Sequence, residues 1–343
     1  MNIYFCLSYL SVPHTITLIK ENHGTNYLIV SSNVELYKFF TELFDKKKIL
    51  FLQTSSITFP FSIKFIYFPV KLVEVFILKW RAWKYFRKVH DANIYFFFNG
   101  AAFFYAWLIY KLSKNNKLYY QEDIDLSVFP EKKEFVTWVN KYFIKILYNE
   151  AVVPIDQGNG NIAYKMSQDF ISKVKVNKIE IDLSSKNISN WLNMKFNFPK
   201  GDILFLSSFI KEFGTNEDEY IKQNDNLLCE LRNSGYKIHL KLHPRCNIKN
   251  SLEKELFEIP KYYPANLLLN YKVIIGYASA TLAEAANNGI LSISLVDFYK
   301  FATTEEPTNL KSYLISNLIQ GKMILFPLNI NEIRKLLIEN IAT

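Results

Sequence analysis

The stretch "YKVIIGYASATLAEAANNGILSISLVDF", residues 271–298, decides how the rest of the chain is read. An apolar run, Val273 to Ile275, stops on Gly276. A short break follows, then "ATLAEAANNG", a helix that closes on Gly289. "ILSISLVDF" is apolar and β-branched again. Strand, helix, strand makes a β-α-β unit, and a helical return leaves its two strands parallel.

Working outward, the same alternation recurs. Upstream, "DILFLSSFI" is a strand and a loop, "EDEYIKQNDNLLCELRNSG" a helix closed by Gly235, and "KIHLKLHP" a strand. In this last strand Ile238, Leu240 and Leu242 alternate with polar neighbours. Downstream, "NINEIRKLLIENIAT" is an amphipathic helix with Asn329 or Asn331 as its N-cap. The first half reads likewise. "NIYFCL", "NYLIVSS", "KKKILFLQ", "NIYFFF" and "KLYYQE" are strands, interleaved with the helices "NVELYKFFTELF", "AAFFYAWLIYKLSK" and "EKKEFVTWVNKYFIKILYN". From about 151 to 200 the pattern loosens into Gly, Asn and polar runs.

The 343 residues, half of them hydrophobic, suffice for two cores. The expected architecture is therefore α/β, two Rossmann-like domains facing a central cleft. A first Rossmann-like domain is expected over 1–155, a connection over 156–200, and a second, with a C-terminal helix, over 201–343. Ligands of such sheets sit off the C-terminal strand ends.

Composition narrows the setting. Cys6, Cys229 and Cys246 are odd in number and widely spaced, which argues against a disulfide framework or a zinc site and suits a reducing cytoplasm. "MNIYFCLSYL" lacks a basic n-region and reads as a buried strand. "ANIYFFFNGAAFFYAWLIYKL", residues 92–112, is long enough to span a bilayer, but Asn99-Gly100 breaks it into strand, turn and helix. The net charge of +9 is concentrated. Between Phe61 and His90 seven Lys or Arg face one acid, Glu74, and alternate with Phe76, Trp80, Trp83 and other aromatics. This is the composition of a membrane-surface helix, and equally of a core helix with a basic outer face. Nothing in it specifies nucleic acid.

Three stretches at strand ends carry chemistry. "YYQEDIDL" supplies Glu122 and Asp123, either of which can take a proton from an acceptor hydroxyl or cap a helix. Its Asp123–Asp125 spacing also occurs in metal-dependent glycosyltransferases. "KLHPR" ends on His243, a donor to phosphate, with Pro244 fixing the turn and Lys241 and Arg245 as cations for an anionic donor or for solvent. "IIGYASATL" places Ser279 and Thr281 at a helix start, an anion-binding arrangement, with Gly276 permitting close backbone approach. Ser207 and Ser208 follow a strand of the same domain and are further donor-site groups. In the first half, "CLSYLSVPHTITL" reads as a loop whose Ser8, Ser11 and His14 reach the cleft.

The order of acidic pair, His-Pro and paired hydroxyls resembles bacterial sialyltransferases and polysialyltransferases of the GT-B type, glycosyltransferase family 52 in particular. "EDI" (122–124), "HP" (243–244) and "SAT" (279–281) stand in the family's motif positions, and "IPKYYPANLLLNYKVIIGYASATL" (259–282) is the best single match. Ile124 stands where the family has glycine, and Ala280 separates the two hydroxyls. The resemblance implies inverting transfer from CMP-sialic acid, or a related CMP-nonulosonate, to lipopolysaccharide or capsule. It implies an acceptor-side first domain and a CMP-sugar-binding second domain, with Glu122 or Asp123 as base and His243 at the donor phosphate. Pro244, Arg245, Gly276, Ser279 and Thr281 would join it there, and Pro264 and Asn266 would line the cytidine site. It also implies no metal or other cofactor, and a place in the bacterial cytoplasm, peripheral at the inner membrane. A transferase of another activated sugar, CMP-Kdo or a nucleotide diphosphate sugar, and a non-enzymatic nucleotide-binding protein are the competing readings.

Overall fold

The computed structural model describes residues 1–53, 64–97, 103–121, 171–172, 174–181, 185–207, 217–243, 255–300 and 305–341. The chain divides into two compact units, Met1–Leu183 and Ser184–Thr343.

The first unit holds β1 (Asn2–Cys6), α1 (Ser11–Glu21), β2 (Tyr27–Ser31), α2 (Val34–Leu43), β3 (Ile49–Phe51), α3 (Lys64–Phe86), β4 (Asn93–Phe96), α4 (Phe103–Leu112), β5 (Lys117–Tyr120) and β6 (Asn177–Lys178). Its strands are all parallel in the order β3-β2-β1-β4-β5-β6. That is the Rossmann order, with its reversal between β1 and β4. All five residues of β1 are buried, as a strand covered on both faces requires. Register places Tyr4 beside Tyr95 and Tyr95 beside Tyr119, so their rings stack across three strands at 5.1 and 4.9 Å. α4 is apolar nearly all round because it sits in the core, where Phe104, Tyr105, Leu108 and Ile109 are buried and the Tyr105 hydroxyl donates to Leu52 O.

The second unit holds α5 (Ser185–Phe196), β7 (Ile203–Ser207), α6 (Glu217–Asn233), β8 (Ile238–Leu242), β9 (Phe257–Glu258), β10 (Val273–Gly276), α7 (Ala280–Asn287), β11 (Leu291–Ser294), α8 (Glu305–Ser316) and α9 (Ile330–Ile341). Its parallel order, β11-β10-β7-β8-β9, repeats the same winding, with the reversal between β7 and β10. Gly235 (φ +84°) ends α6 in a Schellman motif: Tyr236 N–H donates to Leu231 O and Gly235 N–H to Arg232 O. Asn329 caps α9, accepting from Glu332 N–H, while the Glu332 carboxylate reaches back to Leu328 N–H.

Several expectations change. β8 alternates in residue type but not in burial, since all five of its residues are buried, polar ones included. A parallel central strand has no solvent face, so its polar residues find internal partners. Lys241 donates to Leu242 O and Lys261 O, and His239 Nδ1 lies 2.9 Å from Tyr271 Oη. Lys46–Lys48 form a 3₁₀ turn capped by Asp45, and the third strand starts only at Ile49. The supposed loop after β1 is short, and Ser11 and His14 belong to α1. The stretch read as irregular carries β6 and α5, because Ile188 and Leu192 have a core to enter. α8 had no reading at all. The reading of residues 92–112 as strand then helix holds at both ends, in β4 and α4, with 98–102 outside the described residues. Among the described residues no helix is long and apolar enough to cross a membrane. The helix read over "EKKEFVTWVNKYFIKILYN" falls outside the described residues.

Candidate functional site

Three of the residues singled out for donor binding, Ser207, His243 and Ser279, stand just at or beyond the ends of adjoining strands β7, β8 and β10 of the second sheet. β7 and β10 are adjacent and parallel, with Leu206 paired to Gly276, so both strands end side by side. Ser207 is the last residue of β7, and its carbonyl accepts from His243 N–H at 3.0 Å. His243 itself is exposed directly beyond β8. After β10 the chain runs through Tyr277 and Ala278 to Ser279, the N-cap of α7. In such sheets the crevice at the reversal point is where ligands sit. Three segments distant in sequence thus end on neighbouring strands: β7, β8, and β10 with the α7 start that follows it.

The two hydroxyls differ. Ser279 is half-buried, and its Oγ accepts from Thr281 N–H at 3.3 Å, which leaves its own proton to donate. Thr281 lies one step inside the helix and is buried. Ala280 therefore separates a more accessible hydroxyl, Ser279, from a buried one, Thr281. The glycine reading changes too. A Cβ on Gly276 would come within 2.9 Å of Leu206 Cβ, so the missing side chain makes room for β7 and not for a ligand.

Pro264 precedes a 3₁₀ turn, Ala265–Leu267, that packs against α5 and α7. Within it Asn266 is buried, and its Oδ1 has no hydrogen-bond partner among the described residues. A buried acceptor left unpaired costs about 1–3 kcal/mol, which a ligand donor would relieve. A tyrosine cluster at these strand ends escaped the sequence reading. Tyr277 and Tyr299 follow β10 and β11 with centroids 5.6 Å apart, and Tyr220 on α6 lies 4.8 Å from Tyr299. The Tyr299 hydroxyl donates to Asn224 Oδ1, and Asn224 Nδ2 is buried without a partner among the described residues. The aromatic directly after Gly276 was the available signal.

In the first unit Ser8 and Ser11 satisfy each other at the start of α1. Ser11 N–H donates to Ser8 Oγ at 3.2 Å, and Ser11 Oγ–H donates to Ser8 O at 2.8 Å. His14 is buried against Phe97, with Nδ1–H donating to Leu10 O. Burial pushes its imidazole down to about 4, so it is neutral at pH 7. Ser11 and His14 are thus structural members of a helix start, not cleft contacts on a loop. Glu122, Asp123, Asp125, Pro244, Arg245 and Ser208 lie outside the described residues.

No protein-family model and no curated protein matches the chain. Among solved structures it is similar to E. coli heptosyltransferase WaaC with ADP, at 13% identity and TM-score 0.47, covering 99% of this chain and 100% of that one. It is also similar to UDP-GlcNAc 2-epimerase from Methanocaldococcus jannaschii, at 15% identity and TM-score 0.46 over 99% and 100%. A third is the glycotransferase of kitacinnamycin, at 11% identity and TM-score 0.40 over 100% and 90%. None of the three is a sialyltransferase. With each TM-score below 0.5, the α/β assignment, two Rossmann-like units in tandem, rests on the two sheets themselves.

Proposed function

We propose that the chain is an inverting glycosyltransferase that takes sialic acid, or a related nonulosonic acid, from a CMP-activated donor and transfers it to a bacterial surface glycan. The observation that supports this reading is the placement of Ser279, Ser207 and His243 at the same ends of the three neighbouring strands β10, β7 and β8. A helix start with a free hydroxyl proton favours an anion of the size of a phosphate. The exposed imidazole of His243, at the end of β8 on the other side of β7, would supply a further donor.

In the proposed reaction the acceptor hydroxyl oxygen bonds to the anomeric carbon from the face opposite the nucleotide. Its proton passes to Glu122 or Asp123. The bond from that carbon to the phosphate oxygen breaks, and CMP leaves with the electron pair. His243 and Ser279 stabilise the charge that grows on the leaving oxygen. CMP carries a single phosphate, so the proposal needs no metal. Use of a nucleotide diphosphate sugar is the second reading, favoured by the Asp123–Asp125 spacing alone.

Thermal shift of the full chain with CMP, CDP, UDP and GDP tests the donor class, because a ligand bound only by the folded state raises its stability. CMP alone should shift the melt, and donor hydrolysis should survive EDTA. A shift with UDP or GDP alone would sink the proposal. His243→Ala should weaken CMP binding and cut turnover by about 10²–10³. Glu122→Gln should keep CMP binding and lose transfer. If Glu122→Gln stays fully active, Asp123 is the base to test next.

A further inference from the structure

α3 buries only one stripe. Val75, Leu78, Ala82 and Phe86 enter the core of the first unit beside Phe5, Ile94 and Phe96. A helix that merely covered a sheet would be polar elsewhere. Instead Val73, Phe76, Ile77, Trp80 and Trp83 are half or more exposed, Phe76 to 70%. They recur at spacings of three and four, so they form one continuous strip on the side away from the core. Large exposed side chains in a contiguous patch mark an interaction surface.

The cations gather at one end of that strip. Arg81, Lys84, Arg87 and Lys88 are all exposed. Arg81 donates to Phe51 O at 3.3 Å, and Arg87 lies 4.7 Å from the centre of the Trp83 ring. Lys84 and Lys88 form no ion pair among the described residues. The only acid within α3 is Glu74.

We propose that this strip is a docking surface for an anionic lipid bilayer. Phe76, Ile77 and Trp80 would enter the acyl boundary, the Trp83 indole would lie at headgroup level, and the basic end would face lipid phosphates. Indole rings suit the interface, where one edge is apolar and the other wet. Cations at the rim gain from anionic headgroups without burial. A second copy of the chain fits worse, since α3 and the two residues after it bring seven cations and a single acid to any self-association. The proposal is independent of the donor site, and a soluble nucleotide-sugar enzyme would fail it without losing its chemistry.

The test uses the purified full chain with phosphatidylcholine vesicles, with and without phosphatidylglycerol. Sedimentation should show binding to the anionic vesicles only, weakened by salt, with a blue shift of tryptophan emission. Phe76→Glu with Trp80→Glu should abolish binding while the melting temperature holds, since both side chains are exposed. Lys84→Gln with Arg87→Gln and Lys88→Gln should cut partitioning by on the order of a hundredfold, about fivefold per cation. Equal binding by either variant overturns the proposal, as does equal binding to neutral vesicles. So does a wild-type dimer that the Phe76/Trp80 variant converts to monomer, which would assign the strip to a second copy.

Discussion

His14 shows how one residue's environment sets its chemistry. In the sequence it stands beside Pro13 within a run of hydroxyls and looks like a ligand contact. In the structure it is the fourth residue of α1, packed on Phe97 at 5.3 Å and neutral because burial holds its pKa down to about 4. The unfolded chain takes up this proton near the ordinary value of about 6.5. Between those two values the unfolded state binds a proton that the folded state refuses. Stability is therefore full above about 6.5, falls as pH drops through the window, and stops falling below about 4. The loss across the window is about 3 kcal/mol. Urea midpoints taken at pH 7 and at pH 4 should thus fall less for His14→Gln than for wild type. Equal drops would mean that the imidazole is solvated.

At the level of elements, the junction of β7 and β10 matters most for the proposed chemistry, because the reversal point opens at its end. Its tightness depends on Gly276, since Leu206 occupies the space where a side chain would stand. Gly276→Ala should force the two strands apart and cost about 1–3 kcal/mol. Thermal melting checks this, and a variant as stable as wild type would mean that the strands have room to spare. Ser207 and Ser279 lie one and three residues from that contact, so CMP affinity should fall along with stability. The strand and helix of the opening stretch, 271–298, were legible because apolar run, glycine and small-residue helix follow in order. The role of Gly276 was not legible, because Leu206 lies seventy residues away in sequence and adjacent only in the sheet.

Across the whole molecule, each unit has its own parallel sheet and its own buried residues. In the second these include Leu204, Leu227, Leu240, Ile274 and Ile293, drawn from strands and helices within residues 184–343 alone. That fragment should fold by itself with one cooperative urea transition, as expected of a domain with a complete core. A fragment without a cooperative transition would show that it depends on residues 1–183. Its strand order repeats the winding of the first unit, and in both the reversal falls between the first strand and the fourth. The sequence by itself determined the strand-and-helix alternation, the parallel sheets and the helix ends at Gly235 and Asn329, because periodicity and capping are local. Only the tertiary structure decided that β8 buries Lys241 and His239, that Ser11 and His14 serve a helix start, and that α3 leaves an aromatic strip bare. The physical reason is that burial is a property of what packs on a residue, and its neighbours in space come from distant parts of the chain.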